Sequence, residues 1–310
     1  MTPQNTTAPA GVPASVPAPV SASSAGSWQL GDLTVNRLGF GAMRLTGSGP
    51  FDLGTPSDRE RVLGVLRRAV ELGVNHIDTA AFYFSSLRSA NELINTALAP
   101  YPQELVITTK VGPWRDPAGE WSWGAPEQLR GQVEENLRQL GRDQLDVVNL
   151  RNRGRAVEPF VERFGALAEL REAGLIRHLG VSNATVEQFA AARAVAPVVC
   201  VQNRFGIGAS AEQREVLRVC GEQGVAFVPF FAIAGEGREG GAGGPEDQAV
   251  LDIAAAHGVS VAQVRLAWTL RQGPHVLAIP GTGNPQHLVE NLAAGAVRLT
   301  DEEFARLEAV

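Results

Sequence analysis

The sequence predicts an α/β fold, a closed (β/α)8 TIM barrel over residues 28–310 preceded by a disordered tail over residues 1–27. Three observations carry the prediction. Helical stretches with apolar residues three and four apart end repeatedly at a glycine, and a short β-branched run follows at once. Eight such runs, each followed by a helix candidate, occupy about 250 residues, the count and size of the barrel. A doubly wound open sheet is the rival, but its fingerprint is missing: Gly39 and Gly41 lead into Ala42, Met43 and Arg44 without a third glycine.

Residues 1–27 carry no charge and draw 19 of 27 positions from Ala, Pro, Ser and Thr, too little apolar surface to build a core. The strands are expected near 38–42, 74–79, 105–111, 146–151, 176–183, 198–204, 226–231 and 276–280. The clearest helix runs from Ser57 to Gly73. Ser57 and Glu60 are spaced as a capping box, Val62, Leu66, Ala69 and Val70 share one face, and Gly73 ends it. The same punctuation returns at Gly174, Gly224 and Gly273.

Composition excludes several classes of function. With 27 basic and 33 acidic side chains the net charge is -6, and no basic cluster offers attraction to nucleic acid or anionic lipid. There is no uninterrupted apolar run of about 18 residues to cross a membrane and no export signal. Cys200 and Cys220 suit neither a zinc site nor a disulfide framework, so no metal is expected and a reducing cytoplasm fits best. Of the 27 basic residues only Lys110 is lysine. In an arginine-rich chain, a retained lysine suggests a role that needs a compact ammonium.

Barrel chemistry collects at the carboxyl ends of the strands. Those ends are polar here: Asp78, Lys110, Asn149 and Arg151, Ser182 and Asn183, Gln202 and Asn203, with Thr282 after the eighth. Adjacent strands lie about 4.8 Å apart, so Asp78, Tyr83 and Lys110 can converge. A phenol is a poor acid at neutral pH, whereas an ammonium beside it favours the phenolate and a carboxylate keeps that ammonium charged. The trio is a general-acid device.

Taken in order, GFGAMRL, HIDTAAFY, NELI, ELVITTKVG, LDVV, HLGVSN, VQNRF, IPGT and HLVENLAA resemble the aldo-keto reductase superfamily from about Leu38 to Ala294. The resemblance implies a nicotinamide-dependent oxidoreductase in which Tyr83 protonates a small-molecule carbonyl as hydride reaches its carbon, with Lys110 and Asp78 in support. It also implies that Ser182, Asn183 and Gln202 bond the nicotinamide carboxamide, that Phe230 stacks on its ring, and that the segment holding Thr282, His287 and Asn291 takes the adenosine end. The glycine-rich stretch 235–244 would fold over the pyrophosphate.

Two departures stand out. The histidine usual in the family, five residues after the aspartate matched by Asp146, is Arg151. A neutral imidazole offers one donor, whereas a guanidinium is permanently charged and offers five. Strand alternation puts Asn149 and Arg151 on one face, so either could serve a developing oxyanion, and Arg151 could bind a substrate anion or pair outward. The second departure is His287, where arginine usually meets the 2′-phosphate; no Lys or Arg occurs from Gln272 to Val297. NADPH is the first expectation, with NADH an alternative. Trp114, Trp121 and Trp123 follow Lys110 and either wall a pocket for a flat substrate or pack on the barrel rim.

Alternatives follow from the same residues. Arg151 leaves open reduction of a C=N or activated C=C bond, or of a phosphorylated aldehyde. It also admits a nucleotide-binding regulatory subunit resembling the potassium-channel β proteins. A lyase or aldolase would use Lys110 as a Schiff-base amine. Substrate, reaction direction and oligomeric state are not legible.

Overall fold

A computed structural model describes residues 20–48, 53–233 and 247–310. The chain opens with an antiparallel hairpin, β1 (Ser27–Leu30) and β2 (Leu33–Asn36), joined at Gly31 and Asp32. Gly31 has φ 65°, which a side chain would oppose. The barrel strands that follow are β3 (Phe40–Gly41), β4 (His76–Asp78) and β5 (Val106–Val111). A rim hairpin, β6 (Pro113–Arg115) and β7 (Trp121–Trp123), separates these from β8 (Leu145–Arg151), β9 (Ile176–Ser182), β10 (Val198–Gln202) and β11 (Ala226–Phe227).

The seven barrel strands pair in parallel in the order β11-β10-β9-β8-β5-β4-β3. Residues 276–278 supply the eighth. Val276 bridges Phe227 and Ala278 bridges Leu38, both in parallel, and Gly39 N donates to Ala278 O at 2.9 Å. The ring is thereby closed.

Helices α1 (Arg59–Glu71), α2 (Ala90–Leu98), α3 (Leu129–Leu140), α4 (Glu158–Glu172), α5 (Val186–Val195) and α6 (Ala211–Glu222) follow successive strands. Two more, α7 (Gln248–His257) and α8 (Val261–Arg271), follow β11, and α9 (Pro285–Ala293) and α10 (Asp301–Glu308) complete the chain. No single helix among the described residues is long and apolar enough to cross a membrane.

Strand alternation divides the core in two. Ile77, Ile107, Val148, Leu179 and Val201 face outward and join the larger apolar cluster with helical residues such as Leu66, Ile94 and Phe189. Val106, Val147, Cys200, Ala226 and Leu277 face inward and pack with Leu30 and Val35 of the opening hairpin. Each fully buried Val or Leu contributes about 1.5–3 kcal/mol. The interior is therefore a packed core, with the Lys110–Asp78 pair toward its carboxyl end and His76 and Thr108 bonded to each other below it.

Several elements differ from expectation. Helix α1 begins at Arg59, because Asp58 is its cap and accepts from Arg61 N at 2.8 Å; Ser57 instead donates to Leu45 O. A carboxylate is the better partner for a positive helix end. The segment expected to be unstructured through residue 27 carries a short helix at Ala22–Ala25, with Ala22 buried and its N–H bonded to Leu72 O at 2.8 Å. Residues 1–19 lie outside the described residues, as does the glycine-rich stretch 235–244. Strand β11 stops at Phe227, short of 231: Pro229 has no N–H to donate, and Phe231 turns at φ 63°.

Candidate active site

Inward positions of the adjacent strands β4 and β5 meet those of β10, from across the barrel, at its mouth. Asp78 ends β4, Lys110 lies near the end of β5, and Gln202 ends β10. Lys110 Nζ donates to Asp78 Oδ2 at 2.6 Å and to the Thr79 carbonyl at 2.9 Å. Gln202 Nε2 donates to Asp78 Oδ1 at 2.7 Å, so both carboxylate oxygens are held. The ion pair is almost fully buried, its side chains being 2% and 5% exposed. Such a pair survives away from water because each partner compensates the other and further hydrogen bonds satisfy both.

Tyr83 comes from the loop after β4, a turn in which its N–H bonds Ala80 O at 3.0 Å. Lys110 Nζ lies 4.8 Å from its ring centroid. The half-buried Tyr83 packs edge-to-face on Phe82 at 5.1 Å, and Phe82 packs on Trp121 at 5.7 Å. The three residues of the expected general-acid device thus lie together. With the ammonium buried and bonded to Asp78 and Thr79, Lys110 is poorly placed to attack a carbonyl as a free amine, which weighs against a Schiff base.

One strand further round, Asn149 sits in register with Lys110 on β5 and Gly180 on β9. Its Oδ1 accepts from Cys200 Sγ at 3.2 Å, while Nδ2 is buried and unpartnered. A methyl at Gly180 would fall 2.0 Å from Asn149 Oδ1 and 2.6 Å from Cys200 Sγ. Glycine is what lets this amide occupy the barrel axis. Burial pushes the Cys200 thiol up to about 12, with the Asp78 charge adding to the effect, so the thiol stays protonated. Below Asp78, His76 meets Thr108 Oγ1 at 3.1 Å, and burial draws its imidazole down to about 4, which leaves it neutral at pH 7.

Arg151 points inward, on the same face as Asn149. Its guanidinium donates to Ser182 Oγ at 3.1 Å and lies 5.0 Å from the Phe230 ring centroid. It lines a cavity of about 900 Å³ together with Trp121, Trp123, Arg153, Asn183 and Phe231. Trp114 faces a second cavity of about 560 Å³ shared with Phe82, Lys110 and Arg115. The tryptophans therefore divide between two recesses.

The remaining expected residues are spread around the mouth. Asn183 is exposed with φ 57°, a conformation asparagine tolerates, and its N–H bonds Gln202 O at 3.1 Å. Gln202 Oε1 is buried without a partner. Thr282 Oγ1 accepts from Asn284 N at 3.0 Å, and Asn284 caps α9, whose first turn exposes His287 and whose body buries Asn291. Thr79, Gly180 and Arg153 were not singled out from the sequence. Period-two counting from Lys110 and Gln202 marks the barrel axis, but a backbone carbonyl and a missing side chain leave no signature of their own.

Comparison with known proteins gives a consistent result. The profile of the Aldo/keto reductase family matches residues 37–310. A pyridoxine 4-dehydrogenase of Escherichia coli (strain K12) is 41% identical over 293 residues, covering 93% of this chain and 99% of that one. An uncharacterized oxidoreductase of Schizosaccharomyces pombe is 39% identical, covering 93% and 91%. Among solved structures, an aldo-keto reductase from Klebsiella pneumoniae in complex with NADPH superposes with a TM-score of 0.73 at 27% identity, covering 89% of this chain and 91% of that one.

Proposed function

The chain belongs to the aldo/keto reductase family, and we propose that it is an NADPH-dependent oxidoreductase interconverting an aromatic aldehyde of the pyridoxal type with its alcohol. The observation that carries the reading is the buried Lys110–Asp78 pair set against the Tyr83 ring. The substrate class follows from the 41% identity to the pyridoxine 4-dehydrogenase and from the aromatic side chains Trp121, Trp123 and Phe231 lining the recess beside Arg151.

The residues present fit the cofactor. Gln202 Oε1, buried and unpartnered, is an acceptor awaiting a donor such as the carboxamide NH2, and Ser182 and Asn183 flank it. Phe230 offers a ring face, and the amino end of α9, where Pro285 has no N–H and Asn284 takes that of Gln286, offers its positive dipole end to a phosphate. When bound, the reduced nicotinamide supplies hydride to the carbonyl carbon.

The chain's own residues do the rest. Tyr83 gives its phenolic proton to the carbonyl oxygen. The ammonium of Lys110 lies beside the ring on which negative charge is then left, and Asp78, itself held by Gln202, keeps that ammonium in place. Asn149 Nδ2 and the Arg151 guanidinium are donors on the axis where oxyanion charge develops. In the oxidative direction Tyr83 as phenolate takes the proton back. Incubating the protein with NADPH and pyridoxal should consume one cofactor for each pyridoxine formed, followed by absorbance and chromatography. No turnover with pyridoxal or with a panel of aromatic aldehydes would overturn the reading.

A further inference from the structure

We propose that Arg151 recognises a negatively charged oxygen next to the reacting carbonyl, which makes the substrate class aryl and pyridyl aldehydes with an ionised hydroxyl ortho to the aldehyde. The inference rests on the reductase reading above and gives the family departure at this position a chemical purpose.

Position comes first. Arg151 is the next inward residue after Asn149 on β8, the strand between Lys110 on β5 and Ser182 on β9. Arg151 therefore stands between the strand of Lys110 and the strand of Ser182, and its guanidinium reaches toward Phe230. One donor goes to Ser182 Oγ and the face lies toward Phe230, and no carboxylate pairs with it among the described residues. Most of its five donors remain available to a ligand.

Charge comes second. Lys110 and Asp78 cancel each other, so Arg151 adds an uncompensated positive charge to the mouth. Arg153 lies beside it on the cavity wall, 5.8 Å from the Trp123 ring centroid and likewise without a carboxylate partner. The one carboxylate among the described lining residues, Glu212, is held by Arg155 at 2.6 Å. A chain with a net charge of -6 thus concentrates positive charge at one recess. An oxidised nicotinamide ring is itself cationic, and two like charges repel in a partly desolvated site. A substrate that brings a negative oxygen removes the conflict.

Shape comes third. An ortho-hydroxy aldehyde presents two coplanar oxygens on one side of the ring, wider apart than those of a carboxylate but within reach of two donors of the planar guanidinium fork. A neutral imidazole meets the carbonyl alone. Trp121 and Trp123 are flat surfaces suited to the ring that carries both oxygens.

The test pairs substrates that differ only at that oxygen: pyridoxal against its 3-O-methyl ether, and 2-hydroxybenzaldehyde against 2-methoxybenzaldehyde, each with NADPH. Wild type should favour the hydroxyl member about 10- to 100-fold in kcat/KM, the range of one charge-assisted bond. Arg151→Gln should reduce the ratio to about threefold or less, and Arg151→Lys, which keeps the charge without the fork, should retain part of it. A binding measurement needs no turnover: 4-deoxypyridoxine and its 3-O-methyl ether are titrated into cofactor-loaded protein by tryptophan fluorescence, with the same preference expected and the same loss in Arg151→Gln. Equal treatment of both members by wild type, or a preference that survives Arg151→Gln, overturns the assignment. Absence of turnover with every aldehyde would defeat the reductase reading instead, and the binding pair would still decide the role of Arg151.

Discussion

Replacing Asp78 by Asn removes one charge and leaves shape and volume nearly intact, so it isolates the electrostatics of the site. Lys110 would then present a 2% exposed ammonium to a neutral amide, with no counter-charge and with the Thr79 carbonyl still at 2.9 Å. At an effective dielectric of about 20, unit charges about 4 Å apart attract by about 4 kcal/mol. Orphaning one partner of a buried pair typically costs about 3–5 kcal/mol, and the two figures agree. We therefore expect Asp78→Asn to lower unfolding free energy by about 3–5 kcal/mol at pH 7.5, read from urea transitions. Adding Lys110→Met should restore much of the loss, because the double variant buries no charge. A loss below about 1 kcal/mol, or strict additivity of the two substitutions, would show that the pair is not the buried, coupled unit described.

Three further outcomes are expected. The folded protein holds His76 neutral down to about pH 4, whereas an unfolded chain protonates it near 6.5, so its contribution is complete above pH 6.5 and is lost as pH falls toward 4. That window represents about 3 kcal/mol, and His76→Gln should show a correspondingly smaller fall in urea midpoint between pH 7 and pH 4.5; an unchanged fall would contradict the assignment. Gly180→Ala should displace the Asn149 amide, cost about 1–3 kcal/mol and lower kcat at least about tenfold, while a fully active, equally stable variant would refute the packing described. Arg37 donates to the carbonyls of Ala25, Val276, Gly273 and Leu270, and Arg37→Met should cost about 3 kcal/mol and speed hydrogen exchange at the Gly39 and Ala278 amides, where the barrel closes. Unchanged exchange at those amides would remove it from the seam.

The strand-end polar residues were legible because period-two alternation and glycine-terminated helices survive in a single sequence. Asp78, Lys110, Asn149, Arg151 and Gln202 all lie on the inward face that alternation assigns. What was not legible depends on pairing across the fold. The closing segment 276–278 forms only bridges, flanked by Pro274 and Pro280, which have no N–H to extend a ladder. The opening hairpin does carry a local signal, a two-residue Gly31–Asp32 turn between alternating apolar positions. Asp58 rather than Ser57 caps α1, and the Ser57 side chain turns instead to Leu45 O, a contact outside the helix that its spacing to Glu60 does not encode. The two alternatives left open for Arg151, inward or paired outward, needed coordinates: its contacts are Ser182 and Phe230.

Tyr83 as the proton donor is tested most directly by single-turnover oxidation of bound NADPH by pyridoxal, followed by stopped flow in wild type and Tyr83→Phe. Loss of the hydroxyl should slow the hydride step by about 100- to 10,000-fold while NADPH binding, read by fluorescence, stays the same. Equal rates in the two proteins would contradict it.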